Sequence, residues 1–238
     1  MKRLIVFLPV LLSVSFLFAQ NTVIHDANAE VRTVSSFHAI EVSTGINLKI
    51  KQGTSEAVAV SASSPEIRSR IKTEVENGTL KIYFDNHGWK DQGIKKELKA
   101  YVSFKNLDAL DANSGADAST DGNINVGSLK ISLSSGADFD GMVTASELNV
   151  DQSSGSDMDI KGKVNSLKIT TSSGSDFNGY GLVSENCAAD ASSGSDIEIT
   201  VNKALQAQAS SGGGINYKGN GVITSVSNSS GGRVKKQG

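Results

Sequence analysis

The sequence predicts an all-β fold: a single-stranded parallel β-helix (β-solenoid), right-handed, with about 19 residues per coil. Three observations predict it: a motif that recurs at a fixed period, apolar columns with period two, and no helical periodicity in the repeated region. The motif is typified by "SSGSD", and its seven copies follow one another at spacings of 18 to 21 residues. Their glycines are Gly115, Gly136, Gly155, Gly174, Gly194, Gly212 and Gly231.

Three apolar columns keep fixed offsets from these glycines. One lies three residues after the glycine, the second lies five before it, and the third, the Leu column, lies seven before it. Polar residues separate them, as in "LKISL" and "LKITT", which indicates strands with one buried face. The columns are Ala118, Phe139, Met158, Phe177, Ile197, Ile215 and Val234; Leu110, Ile131, Val150, Ile169, Ala189, Ala207 and Val226; and Leu129, Leu148, Leu167, Cys187 and Leu205.

Coil length sets the expected shape of each repeat. About 19 residues at roughly 3.3 Å each give a contour near 60 Å, enough for three short strands joined by corners. Successive coils then stack at roughly 4.8 Å and share parallel backbone hydrogen bonds. Stacking buries apolar faces that a single coil leaves exposed, and the crossover rule favours a right-handed coil.

The repeated motif is interpreted as a corner of this scaffold. A serine precedes every motif glycine, as Ser154 precedes Gly155. Glycine permits a positive φ or a crowded backbone, and serine hydroxyls bond to nearby backbone groups or to each other. The serines are therefore expected to be structural, because no G-x-S-x-G elbow accompanies them.

The first residues have the pattern of a secretory signal peptide. Lys2 and Arg3 precede an apolar run from residue 4 to 18, and the expected cleavage follows Ala19. The run is too short for a comfortable membrane span, so no transmembrane span is expected in the mature chain. The protein is expected to be exported to the periplasm, the cell surface or the extracellular space.

The mature chain is interpreted as one decorated solenoid. Within its irregular part, "SPEIRSRI" has a Ser cap and an early Pro and predicts a short helix, "ENGTLKI" predicts a hairpin turn, and residues 85–96 form a loop. Trp89 in that loop either packs or caps the first coil, or it is an exposed contact residue. The predicted organisation is a signal peptide at 1–19, an N-terminal segment at 20–36, the β-helix domain at 37–234 (irregular part 37–110, regular coils 111–234) and a basic tail at 235–238.

Composition excludes several functional classes. After cleavage, the chain contains 21 basic and 25 acidic residues, so it lacks the excess of positive charge that binds nucleic acid. Cys187 is the single cysteine, and its place in the Leu column predicts a buried apolar role. Stability must therefore come from packing and backbone pairing, because no disulfide can form within the chain.

One acidic column stands out beside the glycines. The Asp two residues after the glycine recurs in five successive coils, where unit charges stacked at roughly 4.8 Å repel by about 0.9 kcal/mol per pair in a water-like dielectric. Backbone and hydroxyl donors or a raised carboxyl pKa can offset this cost, and bound Ca²⁺ is the alternative. A solvated structural ladder is the favoured interpretation. The column is Asp117, Asp138, Asp157, Asp176 and Asp196.

The sequence contains no recognisable catalytic constellation. His25, His38 and His87 lack metal-ligand spacing, and no phosphate-binding loop occurs. We therefore assign no catalytic, cofactor-binding or metal-binding residues and expect no cofactor.

Several segments together resemble a known bacterial family. "FHAIEVSTGINLKIKQG", "NGTLKIY", the serial "SGSD" blocks and "SSGGGINYKGN" occur in an order similar to that of the head GIN domain family, also called putative autotransporter adhesins. The match covers residues 37 to 234. The resemblance implies a β-helical protein of the bacterial envelope, and it implies no established activity or catalytic residues.

Two hypotheses for function follow. The first is a non-enzymatic, exported cell-envelope protein, an adhesin by resemblance, whose β-helical surface binds an unknown macromolecule such as a glycan or a surface protein. The alternative is a carbohydrate-active β-helix enzyme, a polysaccharide lyase or hydrolase, by analogy of fold. A groove holding two carboxylates outside the Asp column, at the separation found in glycosidases, would favour the enzyme.

Overall fold

A computed structural model describes residues 26–90 and 93–238. The predicted signal peptide, residues 1–19, lies outside the described residues. Strands make up 63% of the structure and helix 2%, which confirms the all-β class. In chain order the elements are β1 (Glu30–Arg32), β2 (Ala39–Val42), β3 (Asn47–Gln52), β4 (Ala57–Ser61), α1 (Pro65–Ser69), β5 (Ile71–Glu76), β6 (Thr79–Phe84), β7 (Lys99–Phe104), β8 (Ala109–Ala112), β9 (Asp117–Leu133), β10 (Asp138–Gln152), β11 (Asp157–Thr171), β12 (Asp176–Ala191), β13 (Asp196–Ala209), β14 (Gly214–Lys218), β15 (Val222–Asn228) and β16 (Arg233–Lys236).

The strands form a β-solenoid of about seven turns with about 19 residues per turn, as the sequence predicts. Strands β9 to β13 each supply most of one turn and pair in parallel with their neighbours. Residues at equivalent motif positions are register partners, so Leu148 lies between Leu129 and Leu167. Each core side chain therefore stacks on a similar side chain of the next coil.

Each regular coil is one long strand, not the three short strands that its contour suggested. Strands β9 to β13 run for 14 to 17 residues. They bend within the hydrogen-bonded ladder, where the register shifts after Asp140, Asp159 and Gly179. Such irregularities turn a strand while pairing continues on both sides, so the coil bends without ending the strand.

The predicted apolar columns form the core, except at Val226 and at Val234, which is only partly buried. Every member of the Leu column is at most 4% exposed, and Phe139, Met158 and Phe177 are at most 2% exposed. Val226, predicted to be buried, is 52% exposed. The prediction is wrong at Val226 because this residue belongs to β15, and among the described residues β15 pairs only with the preceding strand β13.

The Ser-Gly corner consists of two successive residues in the left-handed conformation. Ser154 has a φ of +57° and Gly155 a φ of +64°, and the other six copies have similar values. The glycine amide donates to the serine carbonyl of the next coil, as Gly155 N does to Ser173 O at 3.1 Å. The serine thus has a backbone role that the sequence did not reveal, because it orients the carbonyl that links two coils.

Positive φ, not crowding, explains the corner glycine. A β-carbon at Gly155 would meet no atom within 4 Å, so the backbone there is open. An eighth corner uses Thr44 and Gly45, with φ values of +60° and +69°. Gly45 N donates to Ser114 O, so this corner begins the same ladder of hydrogen bonds. The period did not identify this corner, because strands β3 to β8 separate Gly45 from the first motif glycine, Gly115, and because threonine replaces serine.

The serine that follows the glycine is the one whose hydroxyl is buried. Ser156 and Ser195 are fully buried beneath their corners. The Ser195 and Thr171 hydroxyl oxygens lie 2.8 Å apart, and Gln152 Nε2 donates to the Asp176 carbonyl at 3.0 Å. These contacts form a polar layer at one edge of an otherwise apolar core.

The N-terminal part continues the solenoid and decorates it. Strands β2 and β3 pair in parallel with later coils, whereas β4 and β5 pair with antiparallel neighbours. Helix α1 begins at Pro65 with Ser64 as its N-cap, because the Ser64 hydroxyl accepts from Ile67 N. Asn77 and Gly78 form the predicted hairpin turn between β5 and β6. The predicted helix and hairpin are both confirmed.

Trp89 packs against the body of the protein. Its ring makes an edge-on contact with Phe84 at 5.7 Å between centroids. The Arg70 guanidinium lies 5.2 Å from the same ring, which adds a cation–π contact. Trp89 is only partly exposed, which fits a packed loop better than an exposed contact residue.

Candidate functional site

The outward side chains at the start of β9 to β13 form an acidic face. Because side chains alternate along a strand, positions two residues apart point outward together. The first row is the predicted Asp column, whose five members are consecutive register partners and all exposed. The second row lies two residues further along and adds three carboxylates. It comprises Ser119, Asp140, Asp159, Asn178 and Glu198.

No described residue forms an ion pair with any of the eight carboxylates of this face. Elsewhere on the solenoid, some acidic residues are paired: Lys130 Nζ lies 3.1 Å from Asp151, and Lys203 Nζ lies 3.0 Å from Glu185. Within the face, the Asn178 amide donates to Asp159 at 2.6 Å. The acidic face is therefore a concentrated negative surface that spans five coils.

A groove of about 510 Å³ crosses the N-terminal end of the acidic face. The acidic rows supply Asp138, Asp140, Asp157 and Asp159, among others, to its walls. Strands β3 and β7 add the remaining polar side chains, and Phe139 lies at the floor, 2% exposed. The polar residues from those two strands are Asn47, Lys49, Lys99 and Tyr101. The groove thus combines carboxylates, two amines and one phenol.

Tyr101 is fixed at the edge of this groove by the N-terminal segment. Its hydroxyl donates to Asp26 Oδ2 at 2.9 Å. Burial and the Asp26 carboxylate raise the pKa of Tyr101 to about 12, so the phenol stays protonated at neutral pH. Tyr101 can therefore offer its ring to a ligand, while its proton is already engaged.

Asp138 has the most perturbed environment of the first row. Burial raises the pKa of its carboxyl, and the charges of Asp117 and Asp157 raise it further, while the backbone amide of Asp157 opposes the shift. The predicted serine donors do not reach the row: no described side-chain hydrogen bond joins a corner serine to these carboxylates. Repulsion along the row is therefore offset by exposure to solvent and, at Asp138, by the backbone amide of Asp157.

The Asp138→Asn variant should melt at a slightly higher temperature than the parent at pH 7. The folded-state pKa lies above the unfolded value, so the ionised carboxylate destabilises the folded state at neutral pH. That cost disappears once the pH falls below the ordinary value of 3.8, and the difference should vanish near pH 3. Thermal denaturation at both pH values measures it.

Asp151→Asn is the matched control, because Asp151 is paired with Lys130 on another face. This variant should not gain stability at pH 7. An equal gain in both variants, or a gain for Asp138→Asn that persists at pH 3, would contradict the electrostatic interpretation.

The structure brings together no other candidate chemistry from the sequence. His38 Nδ1 lies 3.0 Å from Asp108, the amide of His87 donates to Asp85, and His25 lies outside the described residues. Among the described residues, no group of three or more His, Cys, Asp or Glu is arranged to hold a metal ion. Burial raises the pKa of the Cys187 thiol to about 12, so this thiol stays protonated.

Sequence reasoning identified the first row and missed the second. The signal for the second row was present as a second acidic residue in "DFD", "DMD" and "DIE". Lys49, Lys99 and Tyr101 had no such signal, because they belong to the irregular N-terminal strands.

The fold and this face define a class: a small β-solenoid protein with one acidic, grooved face. The chain belongs to the family described as "Putative auto-transporter adhesin, head GIN domain", which it matches over residues 36–221. This membership confirms the resemblance seen in the sequence. No curated protein matches the chain.

Solved structures share the fold at low sequence identity. A "putative adhesin" from Bacteroides fragilis NCTC 9343 superposes with a TM-score of 0.81 at 20% identity, over 88% of this chain and 96% of that one. A "putative lipid binding protein" from Parabacteroides distasonis ATCC 8503 gives 0.69 at 17% identity, over 90% and 98%. A "putative adhesin" from Parabacteroides merdae ATCC 43184 gives 0.68 at 14% identity, over 88% and 95%. In the described part of the chain, no helix is long and apolar enough to cross a bilayer.

Proposed function

We propose that this protein is a non-enzymatic, exported component of the cell envelope that binds a macromolecule through its acidic face. The observation that carries the proposal is the eight unpaired carboxylates, aligned in two rows across five coils. A rigid solenoid holds these rows at fixed spacing, so a partner with repeated groups meets many sites at once. The family description as an adhesin supports the same function.

The proposed organisation follows from export. We assign residues 1–19 to secretion and residues 37–234 to the solenoid domain. Strand β1, in the segment at 20–36, pairs with β4 of that domain, and Lys235 and Lys236, in the predicted basic tail at 235–238, belong to β16. The mature protein then resides in the periplasm, on the cell surface or outside the cell.

The partner should carry cationic groups, as a surface protein or an amino-sugar glycan does. A negative surface attracts cations and repels nucleic acid, whose backbone is itself negative. Because exposed charges are screened by salt, affinity should fall as ionic strength rises. This salt dependence distinguishes binding through the acidic face from binding through an apolar contact.

Glycan and protein arrays probed with the mature chain test the proposal. Replacing Asp138, Asp140, Asp157 and Asp159 by Asn should abolish binding to the hits of the parent protein. A double variant, Asp151→Asn with Asp190→Asn, removes two charges elsewhere and should bind like the parent. Equal binding by the fourfold variant would refute the acidic face as the binding surface.

One observation favours the alternative of a carbohydrate-active enzyme. Asp140 and Asp159 lie outside the Asp column, line the groove and are register partners on adjacent coils. Adjacent coils are separated by roughly 4.8 Å, near the carboxylate separation of about 5 Å in retaining glycosidases. Incubating the mature chain with a polysaccharide panel tests this alternative: new reducing or unsaturated ends that Asp159→Asn abolishes would establish the enzyme.

A further inference from the structure

Both rows of the acidic face continue onto strands β3 and β7, where their charge changes sign. Each row contains a lysine there, and one short neutral residue stands between that lysine and the first carboxylate of the row. The successive register partners are Lys99, Asn47 and Asp117 in the first row, and Lys49, Ser119 and Asp140 in the second. The groove at the end of the acidic face lies across this boundary between cations and carboxylates.

The opposite charges at this boundary are too far apart to neutralise each other. Neighbouring strands are roughly 4.8 Å apart, so two strand spacings place each lysine about 10 Å from the first carboxylate of its row. Within the described part of the chain, Lys49 forms no ion pair, and Lys99 forms a loose one, with its Nζ 3.9 Å from Asp26 Oδ2. Lys51 Nζ, further along β3, lies by contrast 3.2 Å from Asp121 Oδ2. Lys49 therefore faces the carboxylates across the groove with its charge unpaired among these residues.

Short side chains between the two charged walls make room for a ligand. The Ser119 hydroxyl donates to the Leu48 carbonyl at 3.4 Å, so this side chain lies against the strand and leaves the groove open. The Asn47 side chain is exposed, and no hydrogen bond joins its side-chain amide to another residue that the structure describes. Leu48 and Ala118, both buried, lie beneath them. The resulting groove of about 510 Å³ has the volume of a small-molecule site.

The two walls select a ligand by its charge. A cation in the groove is attracted by Asp140 and repelled by Lys49, and an anion meets the opposite combination. A dipolar molecule is attracted at both ends, because its ammonium group faces the carboxylates while its anionic group faces the lysine. The groove therefore favours a zwitterion over a ligand that carries either charge alone.

Length and hydrogen bonding indicate which zwitterion fits. A span of about 10 Å corresponds to about three extended peptide residues at roughly 3.5 Å each. A tripeptide with free termini carries its ammonium and its carboxylate at the two ends of that span. The Asn47 side chain, midway between the walls, offers one amide donor group and one acceptor, as a peptide group requires. A tripeptide with free termini therefore matches the groove in charge, length and hydrogen bonding.

We propose that the groove binds a short peptide, about three residues long, through both of its free termini. The α-ammonium lies against Asp140 and the neighbouring carboxylates, and the α-carboxylate lies against Lys49. This proposal rests on the proposed function, because it uses the carboxylates of the acidic face to bind a cationic group. It adds a requirement that the ligand also carry a negative charge, which a purely cationic partner does not meet.

Triglycine is the probe, because it has the required length and both charges but no side chains. Three analogues each lack one feature: N-acetyltriglycine lacks the ammonium, triglycine amide lacks the carboxylate, and an unbranched ω-amino acid with the same number of chain atoms lacks the peptide groups. Chemical-shift titration of the isotope-labelled mature protein should show saturable binding of triglycine, at least about tenfold tighter than either capped form. The ω-amino acid should bind more weakly than triglycine, because it cannot bond to Asn47 through a peptide group.

Two variants test the orientation of the bound peptide. Lys49→Gln should bind triglycine and triglycine amide about equally and should keep the preference for a free ammonium over an acetylated one. Asp140→Asn should show the converse, a weaker preference for the free ammonium and an unchanged preference for the free carboxylate. The double variant Asp151→Asn with Lys168→Gln removes one exposed charge of each sign outside the groove and should bind every ligand like the parent.

Several results would overturn the proposal, and the first two need no variant. One is the absence of saturable triglycine binding up to about 10 mM, or equal binding of triglycine and its capped forms. Another is equal binding of the ω-amino acid, which would refute a peptide as the ligand. An undiminished preference for the free carboxylate in Lys49→Gln would refute the role assigned to that lysine.

One further result separates this proposal from the proposed function. If triglycine amide, which carries only the positive charge, binds more tightly than triglycine, the peptide site is refuted while the acidic face remains a cation-binding surface. If no ligand with a free ammonium binds better than its acetylated form, both proposals are refuted.

Discussion

Replacing Leu167 by Ala should lower the free energy of unfolding by about 2–5 kcal/mol, because it leaves a cavity in a stacked core. Leu167 is 1% exposed and lies in register between Leu148 and Cys187. The coils above and below are held at fixed spacing by backbone hydrogen bonds. They cannot move together to fill the space without breaking the ladder, so the cost should lie in the upper part of this range.

Chemical denaturation of the mature protein measures the effect. Lys168→Ala is the matched control, since Lys168 neighbours Leu167 and points to solvent. This control should change stability by less than about 0.5 kcal/mol. A Leu167→Ala variant as stable as the control would mean that the assigned register is wrong.

The core of the regular coils could be predicted because each coil repeats the same physical problem. Period-two alternation marks the buried face, and a constant offset from glycine stacks equivalent residues. Cys187 is an example: its position in the Leu column predicted that its side chain is buried, and it is 4% exposed. The rule fails at Val226, because burial there needs a strand on both edges of β15 and the described residues pair with only one of them.

The path of the backbone within a coil could not be predicted in the same way. Positive φ at Ser154 has no side-chain signature, because serine is not among the residues that routinely adopt the left-handed conformation. The bends within the long strands depend on local register shifts after residues such as Asp140, which alternation alone does not encode. The pattern therefore predicts how the coils stack, but it does not predict the shape of a coil in cross-section.

The acidic face was predicted in part for the same reason. The first row could be predicted from the sequence, because its aspartates recur with the same period as the corners. The pKa of Asp138 is raised, as expected from the stacking of neighbouring carboxylates. The groove joins this periodic part to Lys49, Lys99 and Tyr101, which come from non-periodic strands. Pairing of β3 with β9 brings the two parts together, and that long-range pairing has no local signal.

Replacing Gly162 by Ala should destabilise the protein by about 2–6 kcal/mol, since it combines backbone strain with overpacking. Gly162 has a φ of +126°, a conformation that residues with a side chain rarely adopt. An added β-carbon would overlap the carbonyl oxygen of Val143, the residue that faces Gly162 on the preceding coil. A backbone oxygen cannot rotate away as a flexible side chain does, so relief requires the two coils to separate locally.

Gly155→Ala isolates the contribution of this overlap. Gly155 also has a positive φ, but a β-carbon there meets open space, so only the left-handed strain of about 1–2 kcal/mol applies. Chemical denaturation of both variants beside the parent should therefore rank Gly162→Ala well below Gly155→Ala in stability. Equal losses would mean that neighbouring coils yield at the bend, and that close backbone packing there does not hold the solenoid together. A loss confined to Gly162→Ala would show instead that corners tolerate side chains, in keeping with the left-handed serine that precedes every corner glycine.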